Sequence, residues 1–218
     1  MIIEFIKALF KKPVNSTAEQ GSLGVAETRS ESLYDRLRAY AHNKYGLIIH
    51  DFVLFAVRGA TYKNGELVLN DNKLDEYNDC FLVVNENAIL ADLEASVDPG
   101  FDWVKDPMNK KGTARVENGL YYYKAGLHKG HAAFVQYGKI KVRRDENRDG
   151  VWADSEFTEE GFFGINIHWS YSKNKVGRDS AGCMVVRGNR QSDEWNTLLR
   201  IFHFQERFAV IVVDGKDL

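Results

Sequence analysis

The chain has 218 residues, 44% hydrophobic and 28% charged, with 29 Lys and Arg against 31 Asp and Glu for a net charge of −2. That balance provides no global basic field, so binding driven by nucleic-acid phosphates or by an anionic membrane surface is not expected. Two cysteines supply neither a disulfide framework nor a zinc-ligand spacing, and no segment is long and apolar enough to span a bilayer. The length suits one sizeable domain with a small appendage, held together by its core.

Residues 1–12 alternate apolar positions with Glu4 and Lys7 and end on Lys11 and Lys12. They lack the basic start and the small-residue cleavage site of a Sec signal peptide. They read as a short amphipathic segment for docking on a partner or weakly on a membrane, or as a frayed terminus. Residues 13–27 are small and polar and form a linker. A helix over 28–49 follows, with Thr28 and Glu31 as a capping box and Gly46 as its stop. Leu33, Leu37, Tyr40 and Ala41 mark the face expected to pack on the main domain.

From residue 50 to 218 the chain reads as mainly β with a few helices. Strands are expected at 52–57, 80–84, 120–123, 134–142, 162–168 and 208–213, with a helix over 192–204. Asn64-Gly65 and Asn118-Gly119 signal hairpin turns, and 134–142 is expected to pair on itself around Tyr137-Gly138. Of Tyr121, Tyr122 and Tyr123, alternate rings enter the core and the other is free to face a glycan or peptide. His128 and His131 bracket Lys129-Gly130 as ordinary surface histidines, since no third metal ligand lies near them in sequence.

Residues 145–156 (Asp-Glu-Asn-Arg-Asp-Gly-Val-Trp-Ala-Asp-Ser-Glu) match a calcium loop at each defined position. Asp145, Asn147, Asp149, the Val151 carbonyl and Glu156 would supply hard oxygen ligands around the sharp turn at Gly150. A β-prone segment precedes the loop and only a short segment follows it, so a single structural calcium clamp is expected rather than a paired EF-hand. A metal-free surface turn is the alternative.

Two residues suggest an activated thiol. His168 ends the apolar run Gly164-Ile165-Asn166-Ile167, and Cys183 follows the small-residue turn Ser180-Ala181-Gly182 fifteen residues later. A thiol is a poor nucleophile near neutral pH until a base makes thiolate, and histidine is suited to that role. Small residues before the sulfur let backbone N–H groups turn toward an oxyanion. Cys80, inside Cys80-Phe81-Leu82-Val83-Val84, reads as a core residue.

The run Ile167-His168 followed by Ser180-Ala181-Gly182-Cys183 resembles the L,D-transpeptidase (YkuD-type) catalytic motif, specifically over residues 161–188 and in general terms upstream to residue 112. The resemblance implies a sandwich- or barrel-like catalytic domain that acts on peptidoglycan stem peptides. It makes Cys183 the nucleophile and His168 its base, with Gly182 and Cys183 as oxyanion donors and Ser180 shaping the loop. Trp169 stands where the family has a glycine after the histidine and is followed by Ser170, and both are expected at the substrate. Val185 stands where it has Arg or Asn, which leaves Arg178 or Arg187 for a substrate carboxylate.

The expected function is therefore cysteine-dependent acyl transfer or hydrolysis of stem peptides through a thioester. Peptidoglycan cross-linking by transpeptidation is the alternative outcome of the same intermediate. A calcium-stabilised phage structural or wall-binding module is the non-catalytic alternative, and a cytoplasmic cysteine peptidase is a third. With no Sec signal read at its start, a wall-directed chain fits delivery as a phage lysis or tail protein or as an injected antibacterial effector.

Overall fold

A computed structural model describes residues 31–218, so the amphipathic segment, the linker and Thr28 lie outside the described residues. The first helix, α1 (Leu33–Tyr45), starts at Ser32, whose hydroxyl oxygen accepts the N–H of Asp35 at 3.2 Å. It stops at Gly46, which takes a left-handed φ of 65° and donates back to the His42 carbonyl. The helix thus begins at Ser32 rather than at a Thr28–Glu31 box. Its buried Leu33, Leu37 and Ala41 occupy the 3.6-residue stripe expected of a packed helix.

Eight strands close into a barrel: β1 (Val53–Arg58), β4 (Asp79–Val84), β5 (Ile89–Ser96), β7 (Gly119–His128), β8 (His131–Gln136), β11 (Ile167–Trp169), β12 (Met184–Val186) and β13 (Phe208–Asp214). Their order around the barrel is β1-β13-β7-β8-β11-β12-β5-β4. Two neighbours, β1 with β13 and β11 with β12, run parallel, and the remaining pairs are antiparallel. A separate sheet joins β6 (Thr113–Val116), β9 (Ile140–Asp145) and β10 (Thr158–Gly161), and β2 (Ala60–Lys63) pairs with β3 (Glu66–Leu69). The mainly β architecture with few helices is as the sequence predicts.

Strands β1, β4 and β13 are buried along both faces, which explains their near-continuous apolar runs. One face (Leu54, Ala56, Phe81, Val83, Val210, Val212) joins the main core with α3 (Asp193–Phe202), which contributes Trp195, Leu198 and Phe202. The other face (Val53, Phe55, Val57, Leu82, Ile211, Val213) packs beneath Leu33, Leu37 and Ala41 of α1. Each fully buried aliphatic side chain contributes about 1.5–3 kcal/mol, so α1 is an integral layer of the domain. A short helix, α2 (Phe101–Lys105), lies ahead of β6.

The turn at Asn64-Gly65 is a hairpin, with both residues at positive φ and Lys63 opposite Glu66. Asn118-Gly119 is not. There the chain leaves the three-stranded sheet and enters the barrel, because β6 pairs with β9 while β7 pairs with β13 and β8. Likewise β8 and β9 do not pair with each other around Gly138; each finds partners in a different sheet. Tyr121 and Tyr123 are buried in the main core, while Tyr122, on the alternate face, is partly buried at the edge of the outer one.

Candidate active site

His168 and Cys183 reach each other because β11 and β12 are adjacent parallel strands, in register from Ile167 opposite Met184. The crossover between them, residues 170–183, is tied down along its length. Asp179 accepts the Ser170 hydroxyl at 2.5 Å and the N–H groups of Tyr171 and Ser172 at 2.8 and 3.0 Å. The Tyr77 hydroxyl bonds Ser170 and the Ser172 carbonyl, and Asp75 accepts the Gly177 N–H. The Gly100 N–H donates to the Ser180 carbonyl at 2.9 Å.

The turn before the sulfur is closed by Ser180. Its buried hydroxyl donates to the Cys183 carbonyl at 2.5 Å and accepts the Gly182 N–H at 3.2 Å. Gly182 sits at φ 131°, and a Cβ there would meet the Ala114 carbonyl oxygen at 2.8 Å, so only glycine fits. The Gly182 N–H, expected as an oxyanion donor, is held by Ser180 here. The Cys183 N–H makes no hydrogen bond among the described residues and remains available.

Among the described residues, the ligand atoms of His128, His168 and Cys183 all lie within 4.8 Å of one another. His168 is 6% exposed; its Nδ1–H donates to the Trp169 carbonyl at 2.7 Å, which leaves the Nε2 lone pair buried and without a partner. Cys183 is 9% exposed; its sulfur accepts the Asn166 N–H at 3.4 Å and its thiol donates toward the Gly164 carbonyl at 3.8 Å. Burial lowers the His168 pKa to about 4 and raises that of Cys183. The resting pair is therefore neutral imidazole beside neutral thiol. An exposed thiol with a lowered pKa, which an activated cysteine would lead one to expect, is not what the structure holds.

The His128 ring lies parallel to that of His168, with centroids 4.7 Å apart and planes 8° apart. The β7–β8 hairpin places it there: Lys129 and Gly130 both take positive φ in the two-residue turn, and His128 ends β7 opposite His131. His128 is thus part of the site rather than an ordinary surface histidine. The Lys129-Gly130 dipeptide between two β-prone runs was the available signal. Asn166 gave no signal, although its backbone touches the sulfur and its amide Nδ2 meets His128 Nδ1 at 2.9 Å.

A cleft of about 390 Å3 opens over the sulfur, lined in part by Trp103, His128, Lys129, Ile165 and Arg178. A smaller pocket of about 50 Å3 over His168 shares His128, Lys129 and Arg178 with it. Arg178 lies over the Trp103 ring at 5.0 Å, with a largely exposed side chain that brings a cation to the cleft. Of the other residues expected to bind substrate, Trp169 is mostly buried against Tyr171 yet lines the small pocket over His168, whereas Ser170 is fully buried and holds the crossover to Asp179. Arg187 donates to the Lys173 carbonyl at 2.8 Å, pairs with Glu94, and is absent from the cleft wall.

The 145–156 segment forms a tight turn. Asp145, fully buried, accepts the N–H groups of Asp149 and Gly150 at 3.1 and 3.0 Å, and Asn147 accepts the same Asp149 N–H at 3.0 Å. Asp149 accepts the Val151 N–H at 2.7 Å, and Glu156 accepts those of Glu146 and Ala153 at 3.1 and 2.9 Å. Gly150 takes φ 81° at the bend. These side chains offer oxygen, the donor a hard cation takes, and are held by the loop's own backbone, but among the described residues the loop's carboxylates do not form a ligand cluster.

No family model, curated protein or solved structure matches the chain.

Proposed function

We propose that this protein is a cysteine-dependent acyl transferase or hydrolase acting on peptidoglycan stem peptides, with Cys183 as nucleophile and His168 as base. The observation that carries the reading is the convergence of an unpartnered His168 Nε2 and the Cys183 sulfur beneath an open cleft. A neutral imidazole with a free lone pair is the form of histidine that accepts a proton. In the reaction, His168 Nε2 takes the thiol proton as the sulfur attacks a peptide carbonyl. The imidazolium then returns the proton to the leaving amine, and a thioester remains on Cys183. Water or a second amine resolves it, giving hydrolysis or transpeptidation. Arg178, which lines the cleft, supports a contact with an anionic group of the stem peptide.

Asp145, Asn147, Asp149, the Val151 carbonyl and Glu156 would hold a calcium ion as a structural clamp on the end of β9 rather than as a catalytic ion. Soluble muropeptides treated with wild-type protein and with Cys183→Ala test the enzymatic reading by the appearance of cleaved or exchanged products. A second reading, a wall-binding module without chemistry, is favoured by the burial of Cys183 and its raised pKa. It predicts pull-down with peptidoglycan and no product from either protein.

A further inference from the structure

The turn at Cys183 offers a tetrahedral intermediate a single backbone donor. The Gly182 N–H is taken by Ser180 at 3.2 Å, which leaves the N–H of Cys183. Sites that stabilise such an oxyanion use converging donors, each held in place before reaction. The second donor is found across the cleft. The Gln136 N–H donates to Asn166 Oδ1 at 3.4 Å, which sets the amide so that Nδ2 faces His128 Nδ1 at 2.9 Å. Nδ1 of His128 therefore accepts, and the ring proton sits on Nε2. That assignment also speaks against a metal held by His128, His168 and Cys183. A protonated Nε2 is no ligand, and rings stacked at 8° do not aim their lone pairs at one point.

Building on the acyl-transfer reading, we propose that His128 is a further catalytic residue, a neutral imidazole whose Nε2–H donates to the oxyanion formed when Cys183 attacks a carbonyl. His128 lines the cleft beside Cys183 and stacks flat on His168, so one ring borders both the base and the reacting carbonyl. Burial lowers its pKa, which keeps it in the neutral donor form near neutral pH. Asn166 links the parts: its backbone N–H contacts the sulfur while its side chain fixes the His128 tautomer.

The test uses the full chain and an activated ester, p-nitrophenyl acetate, with acylation of Cys183 followed by intact mass. Alkylation by iodoacetamide, which forms no oxyanion, is measured in parallel. His128→Phe keeps a flat ring and removes the donor. Its acylation rate is expected to fall about 10²–10³-fold, the usual loss for one such donor, while alkylation stays within about twofold of wild type. His128→Gln, which restores an N–H, recovers part of the loss. Acylation unchanged in His128→Phe, or acylation and alkylation falling together, overturns the proposal. A wild-type Cys183 that alkylates yet accepts no acyl group overturns the acyl-transfer reading itself, and this inference with it. The wild-type control tells that failure apart from the others.

Discussion

The Ser180 hydroxyl donates to the Cys183 carbonyl at 2.5 Å while accepting the Gly182 N–H at 3.2 Å, so one buried side chain sets the backbone on both sides of the nucleophile's peptide bond. Ser180→Ala removes both bonds and leaves a buried carbonyl unpaired, at an expected cost of about 1–3 kcal/mol in denaturant unfolding. Acylation of Cys183 falls by more than the loss of folded protein explains, because the Cys183 N–H is no longer aimed. Equal acylation per folded molecule would show that Ser180 has no part in shaping the site.

Gly182→Ala is the harsher change at the same turn. A side chain at φ 131° and 2.8 Å from the Ala114 carbonyl oxygen strains the backbone and forces β6 away. A loss of about 1–3 kcal/mol or more is expected in chemical unfolding. Unfolding indistinguishable from wild type would mean the turn is not packed against β6 as described.

Alkylation kinetics separate the two cysteines. Burial pushes the Cys80 thiol up to about 12, and it lies inside β4 with both faces of the strand covered. Cys183, also raised, borders the open cleft. Iodoacetamide is expected to label Cys183 alone in the native protein, at a rate that climbs as pH rises above neutrality, and His168→Gln to slow it at neutral pH. Labelling of Cys80 at a comparable rate would contradict the burial that distinguishes them.

Buried His168 makes stability depend on pH. Its folded pKa of about 4 lies below the unfolded value near 6.5, so the unfolded chain binds the extra proton between these limits. Stability contributed by the neutral ring is thus fully present above about 6.5 and lost as pH falls toward 4. Burial beside Asp98 raises the pKa of Asp79, which acts in the opposite direction in acid. The informative quantity is the difference between wild type and His168→Gln: the wild-type melting temperature is expected to drop more steeply between pH 6.5 and 4. Parallel curves would mean His168 is solvated.

The calcium loop is tested apart from activity. Calcium at about 100 times its dissociation constant is expected to add about 2.7 kcal/mol of stability, reversed by EGTA and lost in Asp149→Ala. A melting temperature indifferent to calcium would leave the metal-free turn.

Local patterns were legible in the sequence. Leu33, Leu37 and Ala41 declared the face of α1, and the Asn64-Gly65 turn formed as read. What the sequence hid was partner choice between sheets. Asn118-Gly119 has hairpin chemistry, yet β6 and β7 pair elsewhere because the three-stranded sheet competes for β6. His128 meets His168 only because Phe134 of β8 pairs with Ile167 of β11, a contact between strands far apart in the chain. Ser170 was placed at the substrate by its position after His168, but its tie to Asp179 turns it inward, while Trp169, mostly buried, lines the small pocket over His168.

The most direct measurement of the central claim is mass spectrometry of Cys183 after brief exposure of the protein to soluble muropeptides, followed by analysis of the released products. A stem-peptide thioester on Cys183, with cleaved or amine-exchanged muropeptides that vanish in Cys183→Ala, is the predicted result. An unmodified Cys183 with muropeptides unchanged by either protein, calcium present, would contradict it.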